Sequence, residues 1–171
     1  MSWILTYTGK KVYPFDPQVE QIDIKDIAHA LSMKCRFSGQ CSRFYSVAQH
    51  SVFTAHCCSF GNRLWGLLHD ASEAYLGDVP SPIKRNLPNY KSTEDRLLRT
   101  IAQRFDLSWP IPSEVKDVDK RMLNTEAIAM WKTLPEDWGV KAPPFYKLKI
   151  TSWPPEIAEM MFLNMFAAAR V

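Results

Sequence analysis

Residues 46–77, SVAQHSVFTAHCCSFGNRLWGLLHDASEAYLG, read as two helices joined by a tight turn. Ser46 supplies a helix-opening hydroxyl, and the apolar positions behind it carry a helix through about Ser59. Phe60-Gly61-Asn62 turns the chain, and the next helix ends near Gly77, where a residue without Cβ suits a C-terminal stop. So short a connection makes the two helices antiparallel neighbours. Counted from the turn at Gly61, His50 lies eleven residues back and His69 eight residues forward. At about 1.5 Å of rise per residue their heights differ by only ~4–5 Å, so both imidazoles can reach one ligand.

Upstream, Ile24, Ile27, Ala28 and Leu31 recur at helical spacing behind Asp23 and predict a first helix to about Met33. CRFSGQCSRFYS, residues 35–46, reads as a loop. ILTYTGKKVYPF, residues 4–15, alternates β-formers around Gly9-Lys10 and predicts a hairpin within residues 1–16. Downstream, the proline-rich DVPSPIKRNLPN, residues 78–89, reads as a loop. Ser92 is expected to cap a helix with Leu97, Leu98, Ile101, Ala102 and Phe105 on its apolar face, and Ser113 a helix through about Trp131. Residues 134–149 read as irregular. Pro154-Pro155 open a last helix over 153–169, apolar on more than one face through Ile157, Met160, Met161, Leu163, Met165 and Phe166; such a helix is either core or a subunit interface. The expectation is a single all-α domain over 1–171 with a minor hairpin.

Composition narrows the class. The 171 residues are 46% hydrophobic and 23% charged, ordinary for a compact domain with its own core. With 21 Lys and Arg against 18 Asp and Glu the net charge is +3, and the basic residues are scattered, which argues against a nucleic-acid partner. No apolar run approaches the roughly 18 residues of a membrane span, and no basic, then apolar leader opens the chain. A cytoplasmic protein without a membrane partner is expected. Cys35, Cys41, Cys57 and Cys58 lack metal-site spacing and are read as reduced thiols.

Polar residues on apolar helices are the candidate site. Asp70 sits among Leu67, Leu68, Ala71 and Ala74, and Asp119 is flanked by Val115, Met122 and Leu123, so both are expected to face inward. Two imidazoles and two carboxylates, His50, His69, Asp70 and Asp119, form a nitrogen and oxygen donor set for one divalent ion such as Zn, Mn, Fe, Co or Ni. Glu73, one turn from His69 and Asp70, is either a general acid or base for that site or a surface ion-pair member. Asp78, just past Gly77, is either a support for the site or a turn residue. Lys84 and Arg85 follow the metal helix, and Arg36 and Arg43 precede the helix of His50; they are fixed cations for a phosphate or solvated loop charges.

The order His50, His69-Asp70, Asp119 resembles the HD-domain metal-dependent phosphohydrolases. YSVAQHS (45–51), LLHDASEAYLGDVPSPIK (67–84) and VKDVDKRML (115–123) are similar to the YfbR-type 5′-deoxynucleotidases, and CRFSGQCSRFYSVAQHS (35–51) to the phage DatZ-type dATP triphosphohydrolases. The likeness covers about residues 24–130. It implies an HD-domain helical bundle and one divalent ion per subunit, Zn, Co or Mn, on His50, His69, Asp70 and Asp119. It implies catalytic roles for Glu73 and Asp78, with Arg36 and Lys84 on phosphate. Where the deoxynucleotidases carry Trp after the loop Arg, against the deoxyribose, this chain has Phe37. The implied function is hydrolysis of a 2′-deoxynucleotide, with dATP leading. The alternatives are a dNMP 5′-deoxynucleotidase and a non-catalytic nucleotide-binding regulator. Assembly into a homo-oligomer is also implied, in the host cytoplasm for a phage-encoded chain.

Overall fold

A computed structural model describes all residues but Met1, Lys132, Pro135, Asp137, Gly139, Val140 and Val171. The fold is mostly helical, with one small hairpin, as expected. Strands β1 (Ile4–Leu5) and β2 (Lys11–Val12) pair antiparallel, Ile4 opposite Val12, across a turn in which Gly9 takes φ +83°. Thr8 bolts the hairpin to the first helix, its backbone N–H and hydroxyl donating to the two oxygens of the buried Asp26 at 2.7 and 2.9 Å.

Helix α1 (Ile24–Ser32) starts at Asp23, whose side chain accepts from the Lys25 N–H, and buries Ile27, Ala28 and Leu31. Helix α2 (Val47–Cys57) is capped by Ser46 as expected. It is buried almost all round, which marks it as the central helix, and it packs on α1 and on three helices downstream. Helix α3 (Arg63–Leu68) runs back against it. Gly66 makes that approach possible: a Cβ there would lie 2.8 Å from the Ala55 Cα.

The sequence predicts one helix from the turn to Gly77, and here the structure differs. The chain leaves the α-helix after Leu68, tightens through 69–72, and resumes as α4 (Glu73–Leu76) before Gly77 turns it at φ +85°. His69 Nδ1 donates to the Gly66 carbonyl at 2.8 Å, the acceptor that residue 70 would use in a regular helix. The turn continues on i to i−3 bonds, Ala71 to Leu68 and Glu73 to Asp70. Residues 78–89 are likewise not all loop. Pro82 in the first turn helps form the short helix α5 (Ser81–Lys84).

Helix α6 (Tyr90–Arg104) begins earlier than Ser92, because Asn89 in the left-handed region (φ +62°) turns the chain into it; the Ser92 hydroxyl donates back to the Asn89 carbonyl. In α7 (Ser113–Met130) the expected cap Ser113 is the first helical residue and Pro112 precedes it. Glu114 fastens this end to the α2–α3 turn, accepting from the Ser59 N–H and hydroxyl and from Asn62. Of residues 134–149, positions 135, 137, 139 and 140 lie outside the described residues, and the rest holds no helix or strand. Helix α8 (Pro155–Ala168) buries Ala158 and Phe162 against α1 and α2, yet leaves Ile157 and Met160 exposed. Gln49 of α2 pins the approach to it through the Thr151 carbonyl and the Trp153 N–H. No helix among the described residues is long and apolar enough to cross a membrane.

Candidate metal centre

Helices α2 and α3 set the two imidazoles facing each other, Nε2 to Nε2 at 3.2 Å. Asp119 reaches in from α7, its Oδ1 3.2 Å from His50 Nε2 and 3.7 Å from His69 Nε2. Asp70 Oδ2 lies 3.5 and 3.3 Å from the same two nitrogens. One donor atom each of His50, His69 and Asp119 falls within 4.8 Å of the others, so these three can hold a metal ion, with Asp70 beside them. Bonds of ~2.0–2.1 Å to one ion leave neighbouring donors ~3.0–3.4 Å apart, close to the spacings seen. The donor set fits.

Both imidazoles are held from behind. His50 Nδ1 meets Glu126 Oε1 at 2.6 Å, and His69 Nδ1 the Gly66 carbonyl at 2.8 Å, which leaves each Nε2 toward the centre. Asp119 differs from expectation in one respect: it faces the imidazoles, but 40% of its side chain is accessible, so the centre opens to solvent there. Burial alone would raise its carboxyl, yet hydrogen bonds and charge from His50 and His69 hold it well below the ordinary carboxylate range. Conversely, burial works against charge on His69, and Asp70 and Asp119 raise it to about 9.

Near the donors sit Glu73, Asp78, Lys84 and Arg36. Glu73 is buried in α4, at 4% exposure. Its Oε1 accepts from Lys84 Nζ at 3.1 Å, while Oε2 is buried with no hydrogen-bond partner among the described residues. Burial, then Asp70 and Asp78, push its carboxyl well above the ordinary range, against the pull of Lys84 and Arg36. Burial also raises Asp78. Lys84 is shared with Glu94 of α6 at 2.9 Å, and Arg36 is ion-paired to Glu126 (Nε, 3.1 Å) and Asp70 (Nη1, 3.5 Å). The two cations are therefore near the centre but already neutralised by carboxylates. Phe37 packs edge-on to Trp131 at 4.9 Å, against an apolar cluster of Tyr45, Met122, Met130 and Ile150. Arg43 donates to the Ala129 and Ile150 carbonyls instead of joining the site.

Glu126, in contact with His50 and Arg36, is a residue of the site's surroundings that sequence reasoning missed. It lies seven residues beyond Asp119, two turns along one face of α7, in the stripe of Met122 and Met130. That spacing was the available signal. Two cavities of about 450 and 380 Å³ flank the 144–148 segment, lined in part by Phe145, Tyr146 and Leu148 and by none of the four donors.

Fold and site together define an all-α protein whose central helices carry a His/Asp cluster able to hold a metal ion. The chain belongs to the family of the uncharacterized protein YfdR of Escherichia coli K12, with which it is 42% identical over 126 residues, 74% of this chain and 71% of that one. It is also similar to an uncharacterized protein of Rhodobacter capsulatus, 34% identical over 125 residues, 67% of this chain and 64% of that one. No family model matches the chain.

Proposed function

We propose that the chain is a divalent-metal-dependent HD-type phosphohydrolase acting on 2′-deoxynucleotides, with dATP the leading substrate, cleaved to deoxyadenosine and tripolyphosphate. The observation that carries this reading is the convergence of the His50 and His69 Nε2 atoms with Asp70 and Asp119 beside Glu73, a buried carboxyl pushed well above the ordinary range. An ion held by these four would supply Lewis-acid polarisation of a phosphoryl oxygen. The remaining chemistry belongs to the chain.

Glu73 holds a proton under conditions where a solvated glutamate has lost it. Lys84 occupies Oε1, so Oε2 is the atom left to carry that proton. In hydrolysis at the α-phosphorus, the water oxygen bonds to phosphorus and gives up a proton as the bond to O5′ breaks; Glu73 gives its proton to O5′, and the proton lost by the water restores Glu73 directly or through solvent. Asp78 adds negative charge that favours the protonated form of Glu73. The solvent-accessible Asp119 side is where the phosphates would approach. The same attack on a monophosphate releases phosphate, which is the alternative 5′-deoxynucleotidase reading.

The test is product analysis by ion-exchange chromatography after incubation with dATP, dAMP, ATP and AMP, each with Co, Mn, Zn or EDTA. Deoxyadenosine plus tripolyphosphate from dATP supports the proposal. Phosphate from dAMP alone makes the chain a 5′-deoxynucleotidase. No product with any ion overturns hydrolysis and leaves a nucleotide-binding regulator.

A further inference from the structure

A glutamate with no exposed surface is an expensive group to keep unless every oxygen is answered, and Glu126 is answered three times. Oε1 accepts from His50 Nδ1 at 2.6 Å and from the Tyr45 hydroxyl at 2.9 Å; Oε2 accepts from Arg36 Nε at 3.1 Å. Neutralising Arg36 needs only Oε2. The shorter bond, on the other oxygen, goes to an imidazole whose opposite nitrogen faces His69, Asp70 and Asp119.

We propose that Glu126 is a positioning residue for the metal centre, fixing the His50 ring so that Nδ1 carries the proton and Nε2 presents its lone pair to the ion. The inference rests on the metal-centre reading above. His69 receives the same service from a backbone carbonyl, so the two rings match in orientation while only one depends on a side chain. A carboxylate partner also makes an imidazole a more basic ligand than a carbonyl does. Because Asp119 and Glu126 stand two turns apart on α7, one helix delivers both a donor and the support of a donor on another helix. Arg36 extends the support from Glu126 to Asp70.

Zn2+ affinity by competition with a chromophoric chelator tests this on the wild type, Glu126→Gln and Tyr45→Phe, with circular dichroism checking the fold. Glu126→Gln is expected to weaken Zn2+ about 10–100-fold, the usual loss for such partners. Tyr45→Phe removes a bond to the same Oε1 without touching His50, and is expected to stay within about threefold of wild type. Equal affinity in Glu126→Gln, or equal weakening in Tyr45→Phe, overturns the positioning role and leaves the metal centre standing. A wild type that binds no Zn2+ overturns both. A readout on the Zn2+-loaded wild type does not depend on any variant folding: His50 Nδ1 should show a far-downfield, slowly exchanging proton by NMR. A metallated or rapidly exchanging Nδ1 overturns the proposal.

Discussion

Two buried glutamates flank the same cluster and meet opposite fates. Glu126, behind His50, accepts from three donors, and against the effect of burial Arg36 and His50 hold it below the ordinary range. Glu73, on the other side, has among the described residues one donor and one unpartnered oxygen, and burial with two carboxylate neighbours pushes it well above that range. Burial is common to both. The number and charge of the donors decide which carboxyl is held below the ordinary range and which is raised above it.

Turnover separates them most sharply. Glu73→Gln is expected to bind metal as wild type does and to lose roughly 10²–10⁴-fold in turnover, the usual share of a general acid; steady-state rates with metal analysis check it, and full activity removes Glu73 from the mechanism. Stability should show the reverse order. Glu126→Ala strands the Arg36 and His50 side chains in the interior and is expected to cost about 3–5 kcal/mol in urea unfolding, whereas Glu73→Gln, compared at pH 4.5 where the folded chain carries Glu73 as the neutral acid, should change stability by less than about 1 kcal/mol. Equal losses would erase the contrast.

The pH dependence carries opposite signs. Glu126 is lowered from 4.5, so its contribution is present above that pH and is lost as pH falls through the lower folded value. Glu73 is raised from 4.5, so the folded chain keeps a proton that the unfolded chain gives up, and stability falls as pH rises between 4.5 and the folded value. Unfolding free energies measured across pH should show a shallower acid limb in Glu126→Gln and a shallower decline above 4.5 in Glu73→Gln, with Asp119 and Asp78 keeping part of each; unchanged slopes would contradict these charge states. The smallest effect is expected at Phe37, next to Arg36 on the Glu126 side. Phe37→Ala should relax the preference for dATP over ATP by roughly tenfold, and an unchanged ratio of the two rates would place sugar recognition elsewhere.

Much of this was legible because it is local. Ser46, the turn at Phe60–Asn62 and the level pairing of His50 with His69 follow from caps, turn residues and rise per residue. The break after Leu68 was not, because it depends on a ring nitrogen taking the Gly66 carbonyl, which no periodicity records. The start of α6 was misplaced for a similar reason: Asn89 enters through a positive φ rather than a side-chain cap. Glu126 lay within reach of the stripe that exposed Asp119, two turns on. The pairing of Arg36 with Asp70 and Glu126 joins three separate elements, and only the folded chain brings them together.

Helices α2 and α3 are neighbours along the chain, while α7 arrives after α6 and supplies Asp119 from across the fold. The centre is thus a clasp between two helices adjacent in the chain and a third that comes after two further helices and α6. Free energy from an ion bound there is also free energy for docking α7. In terms of cooperative unfolding units, the ion would fuse the α7 opening with that of the α2–α3 pair, so that a chain stripped by chelator would open first at α7.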